Sequence, residues 1–171
     1  MGGLASTVEM SKSGLFAHFG SKEELQLATV ARAWEIFESE VVVGSQAGGL
    51  SELLERWLSF FERRVFPGGC FFVISAVEFA GLGGPVGDAL AVAVERQTAV
   101  LEAAVQMATE RGELPAETDP RKTAFALHSM LVNADSLVMV HGDPLVFEHA
   151  RAAIGELLTG RHRDRELVPP A

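Results

Sequence analysis

At 171 residues and 18.3 kDa the chain is one domain of ordinary size, or one domain with a fragment of another attached. A net charge of −9, from 14 basic and 23 acidic side chains, excludes indiscriminate nucleic-acid binding, so any contact with DNA must rest on a local patch. One cysteine excludes an internal disulfide framework and no signal-peptide pattern opens the chain, which points to the cytoplasm, while a mean hydropathy of +0.22 supplies apolar surface for a pocket or a second subunit.

Residues 11–24 read as a short helix, a glycine stop and a capped second helix. Ser11 is a natural N-cap, Gly20 suits the left-handed residue that ends a helix, and Ser21 with Glu24 forms a capping box. Leu15 and Phe19 lie four apart and share one face, which leaves Lys12, Ser13, Phe16 and His18 for others. No acidic side chain falls between residues 11 and 22, although the whole chain is acidic.

From Ser21 the apolar set Leu27, Val30, Trp34, Phe37 and Val41 steps by three and four and predicts one long amphipathic helix. Residues 44–49 break it. A second helix carries Leu50, Leu54, Trp57 and Phe61 on one face and ends at Arg63-Arg64, opposite the negative end of its dipole. After a turn at Pro67-Gly68-Gly69, the run from Cys70 to Ile74 starts a fully buried helix, since no strand exists to pair with it. The stretch 70–94 is interrupted by Glu78, Gly83-Gly84-Pro85 and Asp88, so it is not a membrane span. Pro85 opens a helix through Val86, Leu90, Ala93, Gln97, Leu101, Ala104 and Ala108 to a stop at Gly112. Asp119-Pro120 and Asp143-Pro144 repeat one device, an N-cap followed by proline, and start the last two helices, which end near residues 141 and 158. Residues 161–171 form a charged, proline-tipped tail.

The string from Ser11 to Leu25 closely resembles the recognition-helix region of TetR-family transcriptional regulators. The shared pattern is a serine-led turn, a helix ending aromatic-x-His-aromatic (Phe16 to Phe19), and a Ser-Lys-Glu start to the next helix. The resemblance implies an all-α, ligand-responsive regulator, a repressor in its simplest form, that binds operator DNA as a homodimer. It implies that Ser11 leads the turn, that Lys12, Ser13 and Gly14 face the major groove, that Phe16 and His18 lie on the sugar-phosphate backbone, and that Lys22 contacts phosphate. The family places more helix before this segment than the residues upstream of Met10 supply, and Glu9 stands where the family usually has glycine. The N-terminal part of the DNA-binding domain is therefore expected to be missing, with weak operator binding as the consequence. The domain reading is a partial helix-turn-helix at 1–25, a ligand-binding and dimerisation domain at 26–160, and the tail. The alternative is a truncated ligand-binding and dimerisation module without its own DNA binding.

Trp34, Phe37, Trp57, Phe61, Phe72 and Phe79, with Ser75, Glu78 and His128 as polar groups, are the expected lining of a pocket for a small apolar molecule. Gln97 and Asn133 are further polar groups expected to face inward. On the last two helices apolar residues exceed what one face can hold, and Phe125, Leu131, Val138, Val146, Ala150, Ile154 and Leu157 are expected at a four-helix dimer interface. The five histidines have no metal-ligand spacing, Gly81-Leu82-Gly83-Gly84 follows no strand, and Cys70 sits in an apolar run. No catalysis, metal or cofactor is indicated.

Overall fold

The computed structural model describes residues 19–160, which form six α-helices and no strand. These are α1 (Lys22–Phe37), α2 (Gly49–Glu62), α3 (Phe71–Phe79), α4 (Pro85–Glu110), α5 (Pro120–His141) and α6 (Leu145–Thr159). The local signals act as their chemistry requires. Ser21 Oγ accepts the Glu24 backbone N–H at 3.0 Å and starts α1. Asp119 Oδ1 accepts the Lys122 N–H at 3.1 Å with Pro120 in the first turn of α5, and Asp143 Oδ1 accepts from Leu145 at 3.0 Å ahead of α6. Both of these last helices end on a left-handed glycine, Gly142 and Gly160.

The apolar stripe of α1 buries Val30, Ala33, Trp34 and Phe37, and it does not end with the α-helix. A π-helical turn (Glu38–Val42) and a 3-10 turn (Val43–Ser45) carry the chain onward and bury Val41 completely. α4 is the spine: Val86, Leu90, Ala93, Gln97, Leu101, Ala104 and Ala108 step by three and four along its buried side. α1, α2, α3 and α5 all pack on it, and α6 packs on α5. Arg151 of α6 adds a surface clamp, donating to Glu55 at 2.7 and 2.9 Å and to Glu62 at 2.7 and 3.0 Å, both on α2. Those bonds hold the Glu55 carboxyl below its usual range.

Two expectations are corrected. α3 is not fully buried: Phe72 is its one buried side chain, and Val77 is 70% exposed. Its nine residues lie on the outside of α4, so one face has nothing to pack against. The second concerns the interface set. Leu131, Val138, Ala150 and Ile154 are buried within the protomer's own core, where α5 meets α4 and α6, and Val146 and Leu157 pack against the rim of that core. Phe125 alone of that set stands in the open, 72% exposed, and Val140 and Leu145 are also exposed. Ser129 and Ser136 on α5 turn their hydroxyls onto carbonyls four residues back, at 2.8 Å each. By length and apolar composition α5 passes as a membrane span, but its six buried residues serve this core.

Candidate functional site

The expected aromatic pocket is packed solid. Phe37 sits at its centre, 4.7 Å from Trp57, 5.9 Å from Phe60 and 6.0 Å from Phe72 between ring centroids, all in edge-on contact. Trp34 closes the group against Phe37 at 5.5 Å and Phe72 at 5.9 Å, and Arg96 lies 4.0 Å over its face. Phe61 is buried core as well. Ser75, Glu78 and Phe79 are carried on α3, where Glu78 is exposed and Phe79 packs beside Val30, Val86 and Leu90. Asn133 is exposed on α5. These side chains therefore do not line one cavity. The reason is shape: flat rings that meet edge to face fill the space they enclose.

Two members of the expected set do converge. Trp57 of α2 and His128 of α5 meet in a T-shaped contact at 6.0 Å. His128 Nε2 lies 3.5 Å from the Oε1 of Gln97, a loose pairing across to α4, and Gln97 is itself only 1% exposed. Gln97 beside the Cys70 thiol pulls its value down, and burial outweighs that pull and pushes the thiol up to about 11. The Cys70 backbone N–H in turn donates to Asp135 Oδ2 at 2.6 Å. A chain of buried polar groups thus crosses the bundle from α2 to α5. Burial holds the His128 imidazole below its ordinary value and keeps it neutral, and burial raises the Asp135 carboxyl against the opposing pull of the Cys70 N–H. Gly69 makes this possible: at φ +88° its backbone passes so close that a Cβ there would meet Asp135 Oδ2 at 2.8 Å.

One group in this chain is unsatisfied. The indole N–H of Trp57 is wholly buried and finds no acceptor among the described residues. Trp34 Nε1 shares that state.

One open cleft lies between α2 and α4. A cleft of about 330 Å³ is floored by Leu50 and Leu53 of α2 and by Val100, Ala103 and Ala104 of α4, with Arg111 at its rim. Val42 and Ser45, from the irregular turns after α1, complete its wall. Small side chains on α4 make this room, and alanines carry no chemical signature that sequence reasoning can single out. Asp135 escapes sequence reasoning for a related reason, since only its distant partner Cys70 gives it a role. Among the described residues no group of three or more His, Cys, Asp or Glu side chains is placed to hold a metal ion. Of the expected DNA-contacting residues, Lys22 is exposed in the first turn of α1. Ser11, Lys12, Ser13, Gly14, Phe16 and His18 lie outside the described residues.

Several solved structures share this helical arrangement. A TetR-family regulator from Cytophaga hutchinsonii is similar with a TM-score of 0.80 at 17% identity, over 92% of this chain and 81% of its own. A TetR regulator from Chloroflexus aurantiacus gives 0.78 at 23% identity, over 93% and 81%. AibR, solved in complex with isovaleryl coenzyme A and operator DNA, gives 0.68 at 23% identity, over 90% and 84%. The fold they share with this chain is an all-helical bundle. Residues 48–154 match the family model of the tetracyclin repressor-like C-terminal domain, and the chain belongs to the TetR family. Among curated proteins, none is similar enough in sequence to count as a match.

Proposed function

We propose that this TetR-family chain is a ligand-responsive repressor that binds operator DNA as a homodimer in the cytoplasm, and that its effector binds between α2 and α4. The observation that carries the effector site is a cleft of about 330 Å³ with apolar walls from Leu50, Leu53, Val100 and Ala104 and with Ser45, Arg111 and Glu113 as its polar groups. Small-molecule sites have this makeup, mostly apolar with a few placed polar groups. An effector wedged there separates α2 from α4, and α4 carries α1, at whose head Lys22 stands. Spacing between the two recognition helices of a dimer sets its fit to two half-sites, so a small shift of α1 is enough to release DNA. Contact with the operator is assigned to Ser11, Lys12, Ser13, Gly14, Phe16, His18 and Lys22, as the resemblance implies. The dimer surface is assigned to the exposed sides of α5 and α6, at Phe125, Val140 and Leu145.

The test is a gel shift at fixed salt on DNA from the gene's own upstream region. Retardation that dissolves when a thermally stabilising compound is added supports the regulator. A compound that stabilises the protein without any DNA retardation, at any protein concentration, favours the module without DNA binding. The interface has its own check by sedimentation. Phe125→Glu is expected to give folded monomer with weaker retardation, whereas Leu131→Asp is expected to unfold the protein, because it buries an unpaired charge.

A further inference from the structure

A second open volume lies where α6 ends. A groove of about 560 Å³ runs between the turn that joins α4 to α5 and the last turn of α6. Leu114, Leu157 and Leu158 form its apolar part, and all three are partly buried at the edge of the protomer's core. Leucines left half-covered gain free energy when something apolar is laid over them. The charged residues of the groove are Glu117, Asp119 and Lys122, so its rim is net negative. Lys122 stands 3.5 Å from Asp119 and offsets it, and the excess charge is that of Glu117. α6 adds to it. The carbonyl end of a helix is the negative end of its dipole, and basic side chains in or just beyond the last turn offset that charge. The last turn of α6 has no basic residue and carries Glu156.

The sequence that follows α6 has the complementary charge. Gly160, at φ +70°, ends the helix, lines the groove and turns the backbone off the helix axis. Residues 161–171, which lie outside the described residues, begin Arg161-His162-Arg163-Asp164-Arg165-Glu166-Leu167-Val168. In an extended chain alternate side chains share a side, so the three arginines and Leu167 fall together and Asp164 and Glu166 fall opposite. Three residues span at most about 10 Å, which keeps Arg161 and Arg163 close to a groove that Gly160 itself lines.

We infer that the segment 161–168 of this chain lies extended in its own groove, with its arginines against Glu117 and the carbonyl end of α6 and with Leu167 over the leucines. Laid there, it straps the last turn of α6 to the turn between α4 and α5 and supplies the basic charge that the helix end lacks. The inference is independent of the effector cleft. Two other destinations for the arginines, DNA and the groove of a second copy, are separated from it by the test.

The test is paramagnetic broadening in NMR spectra of the full chain carrying a nitroxide at Val168→Cys. The one native thiol, Cys70, is buried and escapes the label. Broadening is expected at the amides of Leu114, Glu117 and Leu158, and none at Asp88, which stands roughly 30 Å away toward the other end of α4. A mixture of isotope-labelled chain without the nitroxide and unlabelled chain with it is expected to show no broadening at those amides. Replacing the arginines together (Arg161→Glu, Arg163→Glu, Arg165→Glu) is expected to abolish the broadening and to lower the thermal midpoint by about 2–4 °C. Adding Glu117→Lys to that variant is expected to restore part of both, and circular dichroism checks that each variant keeps its helices. No broadening in the labelled chain, or unchanged broadening in the triple variant, overturns the inference. Broadening that persists in the mixture assigns the groove to the tail of a second copy and overturns it too. Loss of DNA retardation in the triple variant, with no broadening in the parent, assigns the arginines to DNA instead.

Discussion

The aromatic cluster around Phe37 and the cleft around Ala103 meet different stretches of the same helix, α2, and they differ in kind. In the cluster, Phe37 and the four rings around it interlock at centroid distances of 4.7–6.0 Å and leave no room. In the cleft, alanines on α4 face leucines on α2, and the volume that larger side chains would fill remains open. Between these two regions, the interlocked rings leave no space and the small side chains of α4 do. A pocket is made by what is missing from a helix face as much as by what is present on it.

The widest separation between the two regions is expected in stability. Phe37→Ala removes a ring touched by four others and is expected to cost about 3–5 kcal/mol in urea unfolding, since a tightly packed site cannot collapse around the loss. An effect below about 1 kcal/mol would mean the cluster is loosely packed and available to a ligand after all. The polar chain between the regions is expected to show a smaller, pH-dependent effect. Because burial lowers the folded-state value of His128 below its unfolded one near 6.5, the unfolded chain takes up this proton first as pH falls. The stability that depends on neutral His128 is complete above about pH 6.5 and is lost as pH falls toward the lowered folded value. Comparing the midpoints of thermal unfolding at pH 7.5 and 5.5, His128→Gln is expected to lose less than the parent. An identical loss in both proteins would place the imidazole in solvent. Smallest of all is the cleft itself. Met107 is 48% exposed at its edge, so Met107→Ala is expected to change stability by a few tenths of a kcal/mol only, measured in the same urea titration. A change comparable to that of Phe37→Ala would make the cleft part of the core.

The same contrast explains which features are legible in the residues alone. Helix starts and stops can be read at Ser21, Asp119-Pro120, Gly142 and Gly160, because a cap is settled between neighbours a few residues apart. The irregular turn at Glu38–Val42 cannot be read, since Trp34, Phe37 and Val41 keep a helical spacing through it. Periodicity identifies the apolar faces of α5 and α6 but not what they face: Leu131 and Ile154 point into their own protomer and Phe125 points away from it. In the site, Trp57 and His128 are legible as an aromatic and a titratable group on inward faces. Asp135 is not, because its role depends on a backbone N–H 65 residues away. Ala103 is not, because a wall made of methyl groups looks like any other stretch of helix.

The unsatisfied indole of Trp57 has one more consequence, and it is optical. The chain contains two tryptophans and no tyrosine, so its near-ultraviolet emission comes almost entirely from two buried indoles. One of them, Trp34, lies under the Arg96 guanidinium, while the other meets the His128 imidazole. Trp34→Phe would leave Trp57 as a lone chromophore, and formation of a hydrogen bond to its N–H would shift its emission to longer wavelength. The protein carries an intrinsic reporter on α2, the helix whose Leu50 and Leu53 line the proposed effector cleft, and occupancy can be followed without attaching a label to either partner.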